Sequence, residues 1–194
     1  VLEQHETNRI NLLFNNAGIG GGGSFINEDR AKWERIYDIC WGGVYYGCRA
    51  FVPALINSDE GHLINTSSVN GFWATLGPQS AHTAYSAAKF AVKGFTEALI
   101  NDFRLNAPHV KVSVVMPGHI GTNMAINSIN LDGDAGENHS NAKERMVNAG
   151  LISAETSDED VAKLIKQQGE DFRDKAPMTA AQAATVILDG VKEE

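Results

Sequence analysis

"INLLFNNAG", residues 10–18, is an apolar run that stops abruptly on small and polar residues. A short continuous run of this kind reads as a strand covered on both faces and ended by a turn, here over residues 10–14. Two later stretches have the same form, "HLINTSS" at 62–68 and "VKVSVVMPG" at 110–118. Between the first two, residues 29–56 follow a helical period, with Trp33, Ile36, Tyr37, Val44, Phe51 and Leu55 as expected core contacts. Between the second and third, a helix is expected over 83–106. Phe90, Phe95, Leu99 and Phe103 mark its apolar side, Thr83 is its expected cap, and Pro108 lies beyond its end. Strands alternating with helices imply right-handed crossovers and a parallel sheet, so the fold class is α/β, doubly wound. Three strands are few for a sheet covered on both faces. The chain also opens without a methionine, on what reads as the tail of a helix, and closes on "VKEE". The sheet is therefore expected to be incomplete.

After Gly118 the pattern changes. Residues 119–141 are rich in Asn, Gly and Ser, and short helices are expected at about 142–150, 157–172 and 179–192. The acidic run "SDED" at 157–160 reads as the capped first turn of one of them. Residues 1–194 are read as a single domain, within which 119–175 form a substrate-site flap and its short helices. In the helix over 29–56, Gly42, Gly43 and Gly47 each cost up to ~1 kcal/mol relative to Ala, which close approach by a neighbour would explain.

The bulk numbers exclude several classes. At 194 residues with 43% hydrophobic content the chain can bury a core of its own. A net charge of −8 argues against nucleic acid or an anionic membrane surface as partner. Cys40 and Cys48 lie too far apart along one helix to be bridged and form no C-x-x-C pair, so a reducing, cytoplasmic setting is expected. No membrane span is expected either, for want of an apolar run of about 18 residues.

In open α/β sheets, ligands bind beyond the carboxyl ends of the strands. All three strand ends here carry small or polar residues: "NNAGIGGGG", "NTSSVNG" and "PGHIGT". In "TAYSAAKFAVKGF", residues 83–95, Tyr85 and Lys89 stand four positions apart, one above the other on a helix face. A lone pair of this spacing is weak evidence, since a solvated helix face supplies many. Beside three converging strand ends it has a chemical meaning. A nearby cation favours the phenolate, which would let Tyr85 exchange a proton at working pH.

Taken in order, "NNAG" at 15–18, "SSVNG" at 67–71, "YSAAK" at 85–89 and "PGHIGT" at 117–122 make the chain resemble a short-chain dehydrogenase/reductase. The resemblance covers roughly residues 5–125 and implies a Rossmann-like fold lacking its first, phosphate-binding portion and its last strand. It also implies an oxidoreductase that moves a hydride between NAD or NADP and a secondary alcohol or carbonyl compound. On this resemblance Tyr85 is the acid–base group. Lys89 lowers its pKa and binds the nicotinamide ribose, and Ser68 hydrogen-bonds the substrate oxygen. Asn15, Ala17 and Gly18 line the cofactor, as do Pro117 and Gly118, while Ile120 and Thr122 hold the nicotinamide carboxamide.

Three departures from the family pattern stand out. The glycine-rich pyrophosphate turn is absent, and "GIGGGGS" at 18–24 follows the wrong strand to replace it, so it is read as a flexible wall of the substrate site. Cys40 occupies the position where the family commonly has an Asn that supports a water in the proton relay. It is read as a small buried hydrophobe. The chain also ends before the family's last strand. His62, His82 and His119 flank the expected site without metal-ligand spacing, so no metal is expected. Phe72, Trp73 and Leu76 read equally as an apolar substrate wall or as core. The expected partners are a small, apolar alcohol or carbonyl substrate and further copies of the chain. A self-associating scaffold that keeps the fold without the chemistry, or an inactive fragment, is the main alternative. A sugar-nucleotide epimerase relative shares Y-x-x-x-K but not usually "NNAG".

Overall fold

The computed structural model describes residues 2–21, 23–75, 81–131, 142–144, 146–148 and 150–193. These fall into two compact units, residues 1–118 with 184–194, and residues 119–183.

In the first unit, β1 (Leu12–Asn15), β2 (Gly61–Thr66) and β3 (Val110–Val115) form a parallel sheet in the order β1-β2-β3. Leu12 pairs with His62 and Asn15 with Asn65, while Gly61 pairs with Val110 and Thr66 with Val115. The central strand is buried from Gly61 to Asn65, as a strand covered on both faces must be. On β1 only alternate residues turn inward, leaving Leu12 45% and Phe14 37% exposed. The expected strand over 10–14 thus starts two residues later, and half of its apolar run is not core.

One continuous helical stretch links β1 to β2. It comprises α1 (Arg30–Tyr37), a π-helical turn (Asp38–Gly42) and α2 (Gly43–Ile56). Asp29 caps it by accepting from Ala31 N at 3.2 Å. Residues 30–56 are by length and composition apolar enough to cross a membrane, which corrects the expectation from the sequence that no such run exists. Its apolar side is occupied within the protein: Val44, Cys48 and Leu55 join Leu63, Val92, Phe103 and Val110 in one core cluster. The glycines of this stretch do not share one cause. The amide of Asn15 lies against Gly47 where a Cβ would sit, whereas Gly43 has open space around it.

Between β2 and β3, α3 spans Thr83–Asn106, the bounds that the pattern predicts. Phe95, Leu99 and Phe103 pack on the core, but Phe90 is 45% exposed, because Ala84, Ala88, Val92 and Thr96 supply the inward stripe on the first half of the helix. The N-cap is His82, with left-handed φ of 35° and no side-chain capping bond, so Thr83 is not the cap.

In the second unit, the two-residue strands β4 (Ile120–Gly121) and β5 (Met178–Thr179) pair in parallel beside α4 (Met124–Leu131) and α5 (Asp158–Asp174). The last helix, α6, runs Ala180–Glu193. Ser157 caps α5 by accepting from Asp160 N at 3.1 Å. An ordered helix at 124–131 replaces part of the loop expected over 119–141. Residues 132–141 of that loop lie outside the described residues, as does Leu76.

Candidate active site

Tyr85 and Lys89 sit one turn apart at the start of α3, and residues 67–71 at the end of β2 are bound to that same turn. Ser67 Oγ donates to Lys89 O at 2.7 Å, and Asn70 Nδ2 donates to Ser86 Oγ at 3.3 Å. A Cβ on Gly71 would stand 2.7 Å from Lys89 O and collide with Ser67 Oγ, so only glycine allows this contact. Ser68 caps the short 3-10 turn Val69–Gly71 by accepting from Asn70 N at 3.2 Å. These ties bring the Ser68 hydroxyl within hydrogen-bond reach of the Tyr85 phenol. Ser67, Asn70 and Ser86 are thus positioning residues for the expected trio. Ser67 and Asn70 stand inside the quoted "SSVNG", but periodicity gives them no role.

The electrostatics differ from what the resemblance implies. Burial pushes the Tyr85 phenol above its ordinary value, and the Ser68 hydrogen bond only partly offsets this. Lys89 is 4% exposed, and burial lowers its pKa. Its Nζ donates to Thr66 O at 2.9 Å and lies 5.6 Å from the centroid of the Tyr85 ring. The ammonium lies over the ring, and burial rather than its charge decides the direction in which the tyrosine's pKa moves. Among the described residues Thr66 O is the one hydrogen-bond acceptor for Nζ, which leaves donors of a buried cation available.

The wall beside Lys89 is made by the chain after β1. A Cβ on Gly18 would lie 3.7 Å from Lys89 Nζ and 3.8 Å from Cys40 Sγ. Cys40 is fully buried in the π-helical turn, and its Sγ donates to Ile19 O at 3.3 Å. Burial raises its thiol pKa, and that of Cys48, so both stay protonated. Asn15 is engaged within the fold. Its Nδ2 donates to Asn65 Oδ1 at 2.9 Å and to Cys48 Sγ at 3.3 Å. Asn65, itself fully buried, donates to Thr96 Oγ1 at 3.0 Å, which donates to Val92 O. This polar chain ties sheet to helices because a buried amide must be satisfied. A lone Asn inside "HLINT" is the signal that could have found it.

Ala17 is exposed, and Gly18 is partly so. Pro117 O accepts from Val69 N at 3.0 Å, with Gly118 next to it near Val69. Ile120 and Thr122 belong to the second unit, where Thr122 Oγ1 accepts from Met124 N at the start of α4. The histidines are engaged elsewhere. His62 Nε2 lies 2.8 Å from Ser113 Oγ, His82 Nδ1 3.4 Å from Gly21 O, and His119 Nε2 2.6 Å from Phe172 O. The glycine-rich run is anchored at the start of α3. Thr83 Oγ1 donates to Gly23 O at 3.0 Å and accepts from Trp33 Nε1 at 2.9 Å.

Comparison with known proteins identifies the family. Residues 2–131 match the model of the short chain dehydrogenase family. SadH of Mycobacterium tuberculosis, an oxidoreductase by name, is 42% identical over 125 residues, which is 64% of this chain and 44% of that protein. A 3-alpha-(or 20-beta)-hydroxysteroid dehydrogenase of Mycobacterium bovis is 34% identical over 115 residues, 59% of this chain and 42% of that protein. The chain thus spans less than half the length of these relatives. A short chain dehydrogenase/reductase of Burkholderia phymatum, solved with NAD, aligns over 96% of this chain and 66% of its own, with TM-score 0.61 and 28% identity. A metagenomic short-chain oxidoreductase solved with NADP aligns over 60% of this chain and 50% of its own, with TM-score 0.51 and 34% identity.

Proposed function

Since the chain belongs to the short chain dehydrogenase family, we propose that it exchanges a hydride with a carbonyl compound or secondary alcohol, and that Tyr85 is the proton donor for reduction. The observation that carries this reading is the packing of the turn after Ser68 against the one turn of α3 that holds Tyr85 and Lys89. The cofactor is NAD or NADP, as in the related structures. Lys89 suits its ribose: a buried ammonium with donors to spare would bind hydroxyls beside the bare backbone of Gly18. The expected contacts of Ala17, Gly18, Pro117, Gly118, Ile120 and Thr122 rest on the resemblance.

When bound, the reduced nicotinamide supplies the hydride. The protein's share is the oxygen. Ser68 donates a hydrogen bond to the substrate carbonyl, stabilising the negative charge that develops as the carbon accepts hydride. Tyr85 then gives its phenolic proton to that oxygen, the product leaves as an alcohol, and the phenolate recovers a proton from solvent. A phenol held above its ordinary pKa is protonated at neutral pH, the form that can give a proton in reduction. A cytoplasmic setting and assembly into homo-oligomers complete the reading.

The test, made on the full-length protein, is consumption of NADH or NADPH that depends on added ketone. Turnover with one of them is expected, and no turnover with either contradicts the reading.

A further inference from the structure

We propose that the Tyr85 site takes uncharged ketones and alcohols with a bulky apolar body, received by a rim of Phe25, Ile26, Phe72 and Trp73; this rests on the carbonyl-reducing reading above. Phe72 and Trp73 are 60% and 64% exposed, and Phe25 and Ile26 are 73% and 89% exposed. Exposure at that level removes core packing as their purpose. Large apolar side chains left in solvent on two segments that are both tied to the start of α3 mark a binding surface.

Both halves of the rim are tied to the reacting groups. Phe72 and Trp73 follow Ser68 by four and five residues, and their backbone N–H groups donate to Val69 O at 3.1 and 2.8 Å. Gly71, just before them, lies against the Lys89 carbonyl. The other half hangs from the anchor at Thr83, two residues before Tyr85: Gly23 is bonded to Thr83, and the Phe25 ring meets Trp33 edge-on at 6.0 Å.

The chemistry of the rim selects the ligand. Its polar groups are satisfied internally: Trp73 Nε1 donates to Thr75 O at 2.8 Å, Trp33 Nε1 to Thr83 Oγ1, and Gly23 N to Glu28 Oε2. A ligand would meet ring faces and an aliphatic side chain, with no free donor aimed at it from these groups. The first charged side chains to follow the Phe25–Ile26 segment are the carboxylates Glu28 and Asp29, with Arg30 next, so no net positive charge there recruits an anionic ligand. Each large apolar side chain covered by a ligand is worth roughly tenfold in affinity.

The experiment compares trans-1-decalone, a fused bicyclic ketone, with 2-butanone. The proteins are the wild type, the pairs Phe72→Ser/Trp73→Ser and Phe25→Ser/Ile26→Ser, and Leu105→Ser, an 82% exposed position near the end of α3. In kcat/KM the wild type is expected to prefer decalone by at least about 100-fold, each rim pair to cut that preference about tenfold or more, and Leu105→Ser to leave it unchanged. Calorimetric titration with decalone separates the rim from the reaction. If no ketone is reduced but decalone binds, and binds about tenfold more weakly to the rim pairs, the rim stands and the proposed reaction falls. Equal preference in the wild type, a preference untouched by both rim pairs, or no decalone binding overturns the proposal.

Discussion

Burial leaves Tyr85 holding its proton more firmly than a free phenol, and this fixes the sign of its pH dependence. Reduction needs the protonated phenol, so its rate should stay level through neutral pH and fall only as pH rises past the ordinary tyrosine value of about 10. Alcohol oxidation, which needs the phenolate, should rise over that same alkaline range. The linkage runs the same way: a raised folded pKa contributes stability below the unfolded value that is lost as pH climbs through the folded one. A reduction rate that already falls between pH 6 and 8, roughly the range a cation-lowered phenol would give, contradicts this. Cys40 is the second residue that carries a test. It is fully buried against Ile19, Ile36, Ala84 and Ala88, with one weak bond to Ile19 O. Cys40→Asn would bring an amide with several unmet hydrogen bonds into that space, at a cost of about 1–3 kcal/mol. The melting temperature should fall by roughly 3–10 °C. An unchanged melting temperature with raised turnover would instead mean that the site has room for Asn and gains from it.

At the scale of elements, the contact between the 69–71 turn and α3 is what brings Ser68 to Tyr85. Gly71→Ala puts a methyl 2.7 Å from a backbone carbonyl that cannot step aside. It should cost about 1–3 kcal/mol, read as a lower urea midpoint, and it should impair ketone turnover more than cofactor affinity. A variant with wild-type stability and turnover would show that this turn is free to shift. Elements of this kind were legible to unequal degrees. The bounds of α3 follow from its apolar period, and β2 and β3 from runs bounded by turns, because those patterns record burial directly. The π-helical turn at 38–42 left no mark, since the apolar pattern runs through it without a break. "MAINSINL" reads as loop because Asn and Ser are poor helix formers, yet α4 forms, with Ile126 packed against Gly169 of α5. Two-residue strands such as β4 and β5 are too short to alternate. At the candidate site, spacing and family order point to Ser68, Tyr85 and Lys89. The bonds of Ser67 and Asn70 to α3, and those of Asn15 to Asn65 and Cys48, depend on tertiary contacts that no local pattern encodes.

For the whole molecule, β1 is the strand with most at stake. Among the described residues it pairs with β2 alone, and Leu12 and Phe14 stand partly in solvent on its outward face. Such an edge recruits strands from other copies, even against a net charge of −8. Light scattering should report mass above 20.9 kDa that grows with concentration, and Leu12→Lys should reduce it. A monomer at every concentration would contradict the edge argument. The central claim, that Tyr85 passes the proton, is tested most directly by Tyr85→Phe, which keeps the ring over Lys89 and removes only the hydroxyl. Ketone reduction by NADH or NADPH should drop at least ~100-fold, while the dissociation constant of the cofactor changes by less than about twofold. Turnover by Tyr85→Phe within a few-fold of wild type would contradict it.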